Sequence, residues 1–322
     1  MKVLPIHGNE NWICDRYAQE WTKHNSSHAC QYGADRSSFL KNRQGVHEAD
    51  VLWLLAPWEW KSIPEWYLKS NKVVCTIHHM VPDKVTDLTW SEFRERDQYV
   101  DAYHTSCQAS YDQFSSHIGN KPCLVSPFWS NRSAFFPIRN KDGLRSRYGI
   151  WKESYVVGSF QRDTEGSDLK SPKLEKGPDI LCDILEKIKE AKPNLEVLLA
   201  GWRRQYVKGR LDAAGIKYKY IERPPIQTIN KLYNCLDQYI VASRYEGGPQ
   251  SISECIMTKT PIVSTRVGLA SKFLHPKSLF SDSEDFFEAY SNLETQEHAE
   301  EALAPHLMPY GFNSFNSFFD SL

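Results

Sequence analysis

Short apolar runs alternate with longer amphipathic stretches along most of the chain. In the first half the apolar runs are residues 2–6, 51–56, 72–77, 102–105 and 123–126. In the second half they are 155–160, 195–200, 218–221, 239–242 and 261–265. Most are continuous and rich in β-branched or aromatic residues, as parallel strands buried on both faces require. The stretches between them read as helices, most clearly at 178–189. There Gly177 and Pro178 mark the start, and proline at the first helical turn loses no needed N–H. Ile180, Leu181, Ile184, Leu185 and Ile188 then line one face, and Pro193 closes the segment.

Helix and strand in alternation predict an α/β fold with mainly parallel sheets. Two sets of about five strands predict two Rossmann-like domains, in keeping with 322 residues. The polar stretch 137–147 marks the boundary, giving an N-terminal domain at 1–140 and a C-terminal one at 141–305. Residues 306–322 carry Phe312, Phe315, Phe318 and Phe319 at helical spacing and read as a terminal helix packing back on the first domain. The acidic stretch 281–301 reads as a solvated helix.

Charge and cysteine usage narrow the picture. Lys+Arg is 39 and Asp+Glu is 40, so no broad basic surface exists for wrapping nucleic acid. No apolar run approaches the ~20 residues of a spanning helix, and the opening residues lack the apolar stretch of a signal peptide. Eight cysteines without a CxxC pair read as reduced, buried thiols of a cytoplasmic protein. No GxGxxG follows the first strand and no GxxxxGK[ST] is present, which argues against a nicotinamide dehydrogenase and a P-loop kinase.

The chemistry concentrates in SRYEGGPQSISECIMTKTPIVSTRVG, residues 243–268. A strand ends at Ser243, a loop carries Glu246, Gly247, Gly248 and Pro249, and a helix begins at Gln250 or Ser251. Glycines admit a ligand close to the backbone, and a helix start offers unpaired N–H groups, so the segment is built for a phosphate. Glu254 sits one turn into that helix, placed to accept two sugar hydroxyls. Glu246 lies just past the carboxyl end of the strand, where open α/β sheets bind ligands.

Two glutamates flanking seven residues, Glu246-GGPQSIS-Glu254, followed by TKTPIVSTRVG, resemble the donor-site signature of family 4 glycosyltransferases. The resemblance implies the GT-B fold, in which two Rossmann-like domains with parallel sheets face each other across a cleft. It continues upstream in YVVGSFQRDTEGSDLKSPKLEKGPDIL, where Gly158 ends a strand and Lys176-Gly177 opens a helix. The family's arginine directly after that glycine is displaced: Ser159 stands there and Arg162 follows. The resemblance implies that Lys176, Arg162 and the loop amides hold the donor diphosphate, with Lys173 as a further cation. It also implies that Glu246 binds the donor sugar, Glu254 the ribose, and the region of Glu222 and Arg223 the base. In the first half it is fainter. His7, Gly8 and Asn9 follow the first strand on the acceptor side, and His78 or His79 ends the strand that faces the transferred sugar.

The expected activity is transfer of a sugar from a nucleotide-sugar to a glycan, lipid-linked or small-molecule acceptor, with retained anomeric configuration. No Asp-x-Asp is present, so no metal cofactor is expected, and lysine and arginine carry the leaving group's charge. A peripheral membrane contact fits a lipid-linked acceptor. Two other readings stay open: an inverting transferase or epimerase using His78 or His79 as base, and a silent nucleotide-sugar binder. Four tryptophans in WLLAPWEWKSIPEW, residues 53–66, suit either sugar stacking or packing, and Arg203, Arg204, Lys208 and Arg210 form a small basic run.

Overall fold

The computed structural model describes residues 1–8, 13–28, 34–35 and 48–322. They group into two compact units, Met1–Trp129 with Met308–Leu322, and Ser130–Leu307.

The first unit is built on six strands, β1 (Val3–His7), β2 (Ala34–Asp35), β3 (Val51–Leu54), β4 (Lys72–Thr76), β5 (Ala102–Thr105) and β6 (Cys123–Val125). Their order is β2-β1-β3-β4-β5-β6, and every neighbouring pair is parallel. All residues of β1 and β3 are buried, which explains their unbroken apolar pattern. The helix Ile13–His24 covers one face with Tyr17, Ala18 and Trp21. Its Trp21 stands edge-on to Trp53 at 5.3 Å and to Phe319 at 5.5 Å. Phe312, Phe315 and Phe319, from a short turn and the terminal helix Asn313–Asp320, belong to the same cluster as Trp21, Trp53, Phe128 and Trp129. The tryptophan-rich stretch thus divides: Trp53 and Trp60 pack inside, while Trp58 (43 % exposed) and Trp66 (59 %) face solvent.

The second unit has β7 (Tyr155–Ser159), β10 (Leu195–Gly201), β11 (Lys217–Glu222), β12 (Gln238–Val241), β13 (Ile262–Thr265) and β14 (Leu279–Phe280), with a small antiparallel pair, β8 (Thr164–Glu165) and β9 (Ser171–Pro172). The main sheet is parallel in the order β11-β10-β7-β12-β13-β14. Counted from its first strand this is 3-2-1-4-5-6, the order of a doubly wound sheet, which reverses direction between β7 and β12. The helix Pro178–Ala191 buries Leu181, Ile184, Leu185 and Ile188, as its periodicity predicts.

The polar stretch at 137–147 is no linker; it lies inside the second unit. Phe136 and Ile138 donate their N–H groups to Asn230 and Asn234 at 3.0 and 2.6 Å. Residues Lys141–Arg147 form a helix capped by the Asn140 side chain. Buried Arg145 donates to the carbonyls of Cys235, Lys152 and Ser154 and to Asp237. Its charge serves the interior. The acidic stretch resolves into a short turn, Asp285–Glu288, and the helix Leu293–Leu303, capped by Asn292. Among the described residues Cys75, Cys107, Cys123, Cys182, Cys235 and Cys255 form no disulfide. Burial pushes the thiols of Cys75 and Cys235 up to about 11 and those of Cys123 and Cys182 to about 12. No helix among the described residues is long and apolar enough to cross a membrane.

A hydrogen-bonded chain threads the first sheet. Trp53 Nε1 donates to Thr76 Oγ1 at 3.0 Å, Thr76 in turn donates to His104 Nδ1 at 3.0 Å, and His104 Nε2 donates to the Ser126 carbonyl at 2.9 Å. A neutral ring protonated on Nε2 satisfies both partners, and burial lowers the His104 pKa to about 3. In the unfolded chain an imidazole takes its proton near 6.5. The unfolded state therefore binds more protons as pH falls below 6.5, and stability drops by roughly 1.4 kcal/mol per pH unit until about pH 3. Thermal melts of the wild type should lose stability steadily from pH 6.5 downward. The slope should be shallower in His104→Gln, with half-buried His306, lowered to about 4, supplying part of the remainder. Parallel slopes would contradict this assignment.

Candidate active site

The reversal point of the second sheet gathers three loops. One leaves β7, one leaves β12, and the third runs from β9 into the helix Pro178–Ala191. Gly158 in β7 has no room for a side chain, because a Cβ there would run into Leu236. Gly177 has φ +59°, and its Cβ would run into the carbonyl of Ala242 at the end of β12. Only glycine lets the Lys176 turn approach that strand end so closely.

This approach brings the predicted charges together. Lys176 Nζ lies 2.6 Å from Glu246 Oε1, the side chains being only 15 % and 12 % exposed. The same carboxylate oxygen accepts from Ser243 Oγ at 3.2 Å. Gln161 joins the group: its Nε2 donates to the Lys176 carbonyl at 2.8 Å and its Oε1 accepts from Ser243 Oγ at 3.2 Å. Arg244 locks the two loops. Its backbone N–H and that of Tyr245 donate to the Glu175 carbonyl at 2.9 and 3.1 Å. Its guanidinium grips Asp179 through two hydrogen bonds of 2.7 and 2.6 Å. Burial alone would raise the Asp179 carboxyl, but Arg244 outweighs it and holds the pKa below the ordinary value.

The glycine-rich loop follows. Gly268 (φ +53°) sits beneath it, where a Cβ would come within 2.7 Å of the Glu246 carbonyl and 2.8 Å of the Gly247 carbonyl. The helix Gln250–Thr258 starts after Pro249, whose side chain gives it no cap. Gly247 and Pro249 are buried, while Gly248, Gln250 and Ser251 are half-buried. Glu254 is buried and accepts from Tyr233 OH at 2.8 Å. Burial, then the Glu254 charge, pushes the Tyr233 phenol well above its ordinary value.

Other expected residues fall elsewhere. Ser159 is wholly buried, and its oxygens accept from Arg204, which also pairs with Asp163. Both are therefore interior groups: Ser159 presents nothing to a ligand, and Arg204 does not belong to a solvated basic run. Arg210 is held by Asp183 and Glu186. Lys173 pairs with Glu175 at 2.7 Å. Arg162 donates its Nε to the Thr164 carbonyl and lies over Trp202 at 5.3 Å; no described contact joins it to Lys176 or Glu246. Glu222 and Arg223 are exposed at the end of β11, with Arg223 over Trp202 at 4.5 Å.

In the first unit, His7 ends β1 and Asp15 lies on the helix Ile13–His24. They form a buried pair, Nδ1 to Oδ1 at 2.7 Å. Gly8 is half-buried, and Asn9 lies outside the described residues. His78 Nε2 donates to the Leu55 carbonyl at 2.8 Å, and His79 is half-buried beside it. Sequence reasoning missed Gln161, Arg244, Asp15 and Trp202. Only Arg244 carried a signal, standing between the two loop residues Ser243 and Glu246.

Residues 169–296 match the family model described as Glycosyl transferases group 1. No curated protein matches the chain. Among solved structures, Alr3699/HepE of Anabaena in complex with UDP aligns at TM-score 0.65 and 17 % identity, over 85 % of this chain and 79 % of its own. Sucrose-phosphate synthase of Thermosynechococcus elongatus aligns at TM-score 0.65 and 12 % identity, over 89 % and 74 %. The fold is GT-B. Within this GT-B chain the matched segment contains Lys173, Lys176, Glu246 and Glu254, whereas Gly158 and Arg162 precede it.

The loop packing gives a direct test. Gly177→Ala should push the turn off Ala242 and cost about 1–3 kcal/mol. Gly209, inside the helix Gln205–Ala213 with open space at its Cβ position, provides the contrast. Gly209→Ala should stabilise by roughly 0.4–1 kcal/mol. Urea unfolding of both variants checks the pair, and equal effects would show that Gly177 is not constrained.

Proposed function

We propose that the protein is a glycosyltransferase that moves a sugar from a nucleotide-sugar donor to an acceptor hydroxyl. The observation that carries this reading is the Lys176–Glu246 pair beside the start of the helix Gln250–Thr258 at the reversal point of the sheet. As the bond from the anomeric carbon to the phosphate oxygen breaks, the diphosphate gains negative charge. A lysine about 4 Å from it contributes roughly 4 kcal/mol at an effective dielectric near 20. A helix N-terminus adds only about 0.3–1 kcal/mol. Lys176 therefore dominates, and the backbone N–H groups of Gly247, Gly248, Gln250 and Ser251 fix the geometry. No metal is needed in this scheme. Glu246, released from Lys176 when the diphosphate arrives, accepts from the donor sugar's hydroxyls. Glu254, oriented by Tyr233, binds the ribose. The UDP complex of the Anabaena neighbour favours a uridine nucleotide. The acceptor's oxygen forms the new bond, and in the retaining course the leaving phosphate takes its proton.

One observation favours a second course. The His7–Asp15 pair has the form of a general base whose ring is oriented by a carboxylate. An inverting transferase needs such a base, so the configuration of the product decides between the two courses. His78 is less suited, since its Nε2 already donates to Leu55.

Lys176→Met should weaken UDP binding roughly 10- to 100-fold. Glu246→Gln should hold UDP within a few-fold of wild type but lower UDP release from UDP-glucose by about 100-fold. Titration and nucleotide-release assays in EDTA measure both. A folded Glu246→Gln protein with undiminished transfer would sink the donor-site model.

A further inference from the structure

Trp53 and Trp129 use the whole indole for the interior of the first unit. Both rings pack in the aromatic cluster, and their N–H groups donate to Thr76 Oγ1 at 3.0 Å and to Glu20 Oε2 at 2.9 Å. Trp58 is the opposite case. It is 43 % exposed, and among the described residues its ring meets no other ring and its Nε1 makes no hydrogen bond.

The backbone beneath Trp58 is nonetheless fixed. It stands past the end of β3, in the loop that leaves the carboxyl edge of the first sheet. His78 Nε2 donates to the Leu55 carbonyl at 2.8 Å, and buried Arg96 donates Nη1 to the Pro57 carbonyl at 3.2 Å. The Glu59 N–H donates to the Ala56 carbonyl at 3.2 Å and the Lys61 N–H to the Trp58 carbonyl at 3.3 Å, within a short helical turn, Glu59–Ser62. Trp60 is buried and stacks on Tyr99, with 5.9 Å between centroids. A large side chain held at its root and bare at its tip has little conformational freedom left to lose when a ligand covers it.

Place and surroundings narrow the ligand. The first sheet reverses direction between β1 and β3, where open α/β sheets bind ligands. His7, paired with Asp15, ends the strand on one side of that point, and the Trp58 loop leaves the strand on the other. Within residues 55–63 only Trp58 and Lys61 are exposed, and Lys61 is balanced by Glu92 at 2.7 Å. A lipid surface is met by many apolar groups with unpaired cations. A pyranose instead presents one face of C–H groups rimmed by hydroxyls, which matches an indole face with a donor at its edge.

We propose that Trp58 is the stacking platform for a pyranose ring of the acceptor, so that the acceptor is a saccharide, free or carried on a larger molecule. The indole covers the C–H face of the sugar, and Nε1 donates to a hydroxyl at its rim. The acceptor role rests on the transferase reading; saccharide binding at Trp58 stands by itself.

Saturation-transfer NMR on the full chain, with and without UDP, tests this with the methyl glycosides of glucose, galactose, mannose and N-acetylglucosamine, in both anomers. Glycerol serves as the ringless polyol. At least one glycoside should receive saturation, strongest at its ring C–H protons, and glycerol should receive none. Trp58→Ala should weaken that binding about 10-fold or more, and Trp58→Phe, which keeps a stacking face, by less than about 3-fold. Trp66→Ala, which removes the other exposed indole of the stretch, should leave it unchanged, and UDP affinity should stay within about two-fold in all three variants. In transfer from UDP-glucose, Trp58→Ala should raise the glycoside's KM and leave kcat within about two-fold. Absence of glycoside binding to folded wild type would overturn the proposal, as would binding that Trp58→Ala leaves intact. Sedimentation with phosphatidylglycerol vesicles that depends on Trp58, without glycoside binding, would overturn it in favour of a lipid surface. UDP binding without glycoside binding would refute this site and spare the donor reading. Glycoside binding through Trp58 without UDP binding would do the reverse.

Discussion

The pairing of Lys176 with Glu246 is the constraint around which the second unit is arranged. Two nearly buried opposite charges 2.6 Å apart are a poor source of stability, because removing both from water offsets most of their attraction. Everything around them serves to keep them there. Gly177 allows the lysine turn to reach the end of β12, and Gly268 gives the glutamate loop room. Arg244 ties the two loops through Glu175 and Asp179. Such an arrangement makes sense if the lysine's charge is held for a third party. On the proposed reading a diphosphate would compete for it directly and release the carboxylate to bind hydroxyls.

That geometry depends in turn on strand order. A parallel sheet that reverses direction between β7 and β12 leaves a gap where the loops on either side diverge. Gln161 comes from the β7 side and Ser243 from the β12 side, and their hydrogen bond spans that gap. The first unit follows the same logic at β1 and β3, and His7 with Asp15 stands at its reversal point. Its core is mainly aromatic on one face, with three phenylalanines of the C-terminal segment closing around Trp21 and Trp53. Those rings explain how a segment 180 or more residues distant from β6 belongs to the same unit, as the Ser126–Ser314 hydroxyl contact also does.

Much of this was legible in the sequence, for identifiable reasons. Continuous apolar runs exposed ten of the strands, because strands buried on both faces tolerate little else. The two-residue strands, such as β2 and β14, were too short for any period to register. The Glu246 loop was legible because spacing along one segment fixes its geometry. Contacts between distant segments were not: Gln161 reaches Ser243 across 82 positions and Arg244 reaches Asp179 across 65. Polarity misled at 137–147, where Arg145 is an interior residue feeding backbone carbonyls. It misled again at Ser159 and in the basic run, where buried Arg204 stands beside half-buried Arg203.

The most direct measurement is a crystal structure of the full chain with UDP, grown in EDTA. The account predicts the diphosphate within hydrogen-bonding distance of Lys176 Nζ and of backbone N–H groups among Gly247, Gly248, Gln250 and Ser251, with the Lys176–Glu246 bond opened or shared. A well-ordered nucleotide whose diphosphate lies elsewhere, with Lys176 still closed on Glu246, would contradict it.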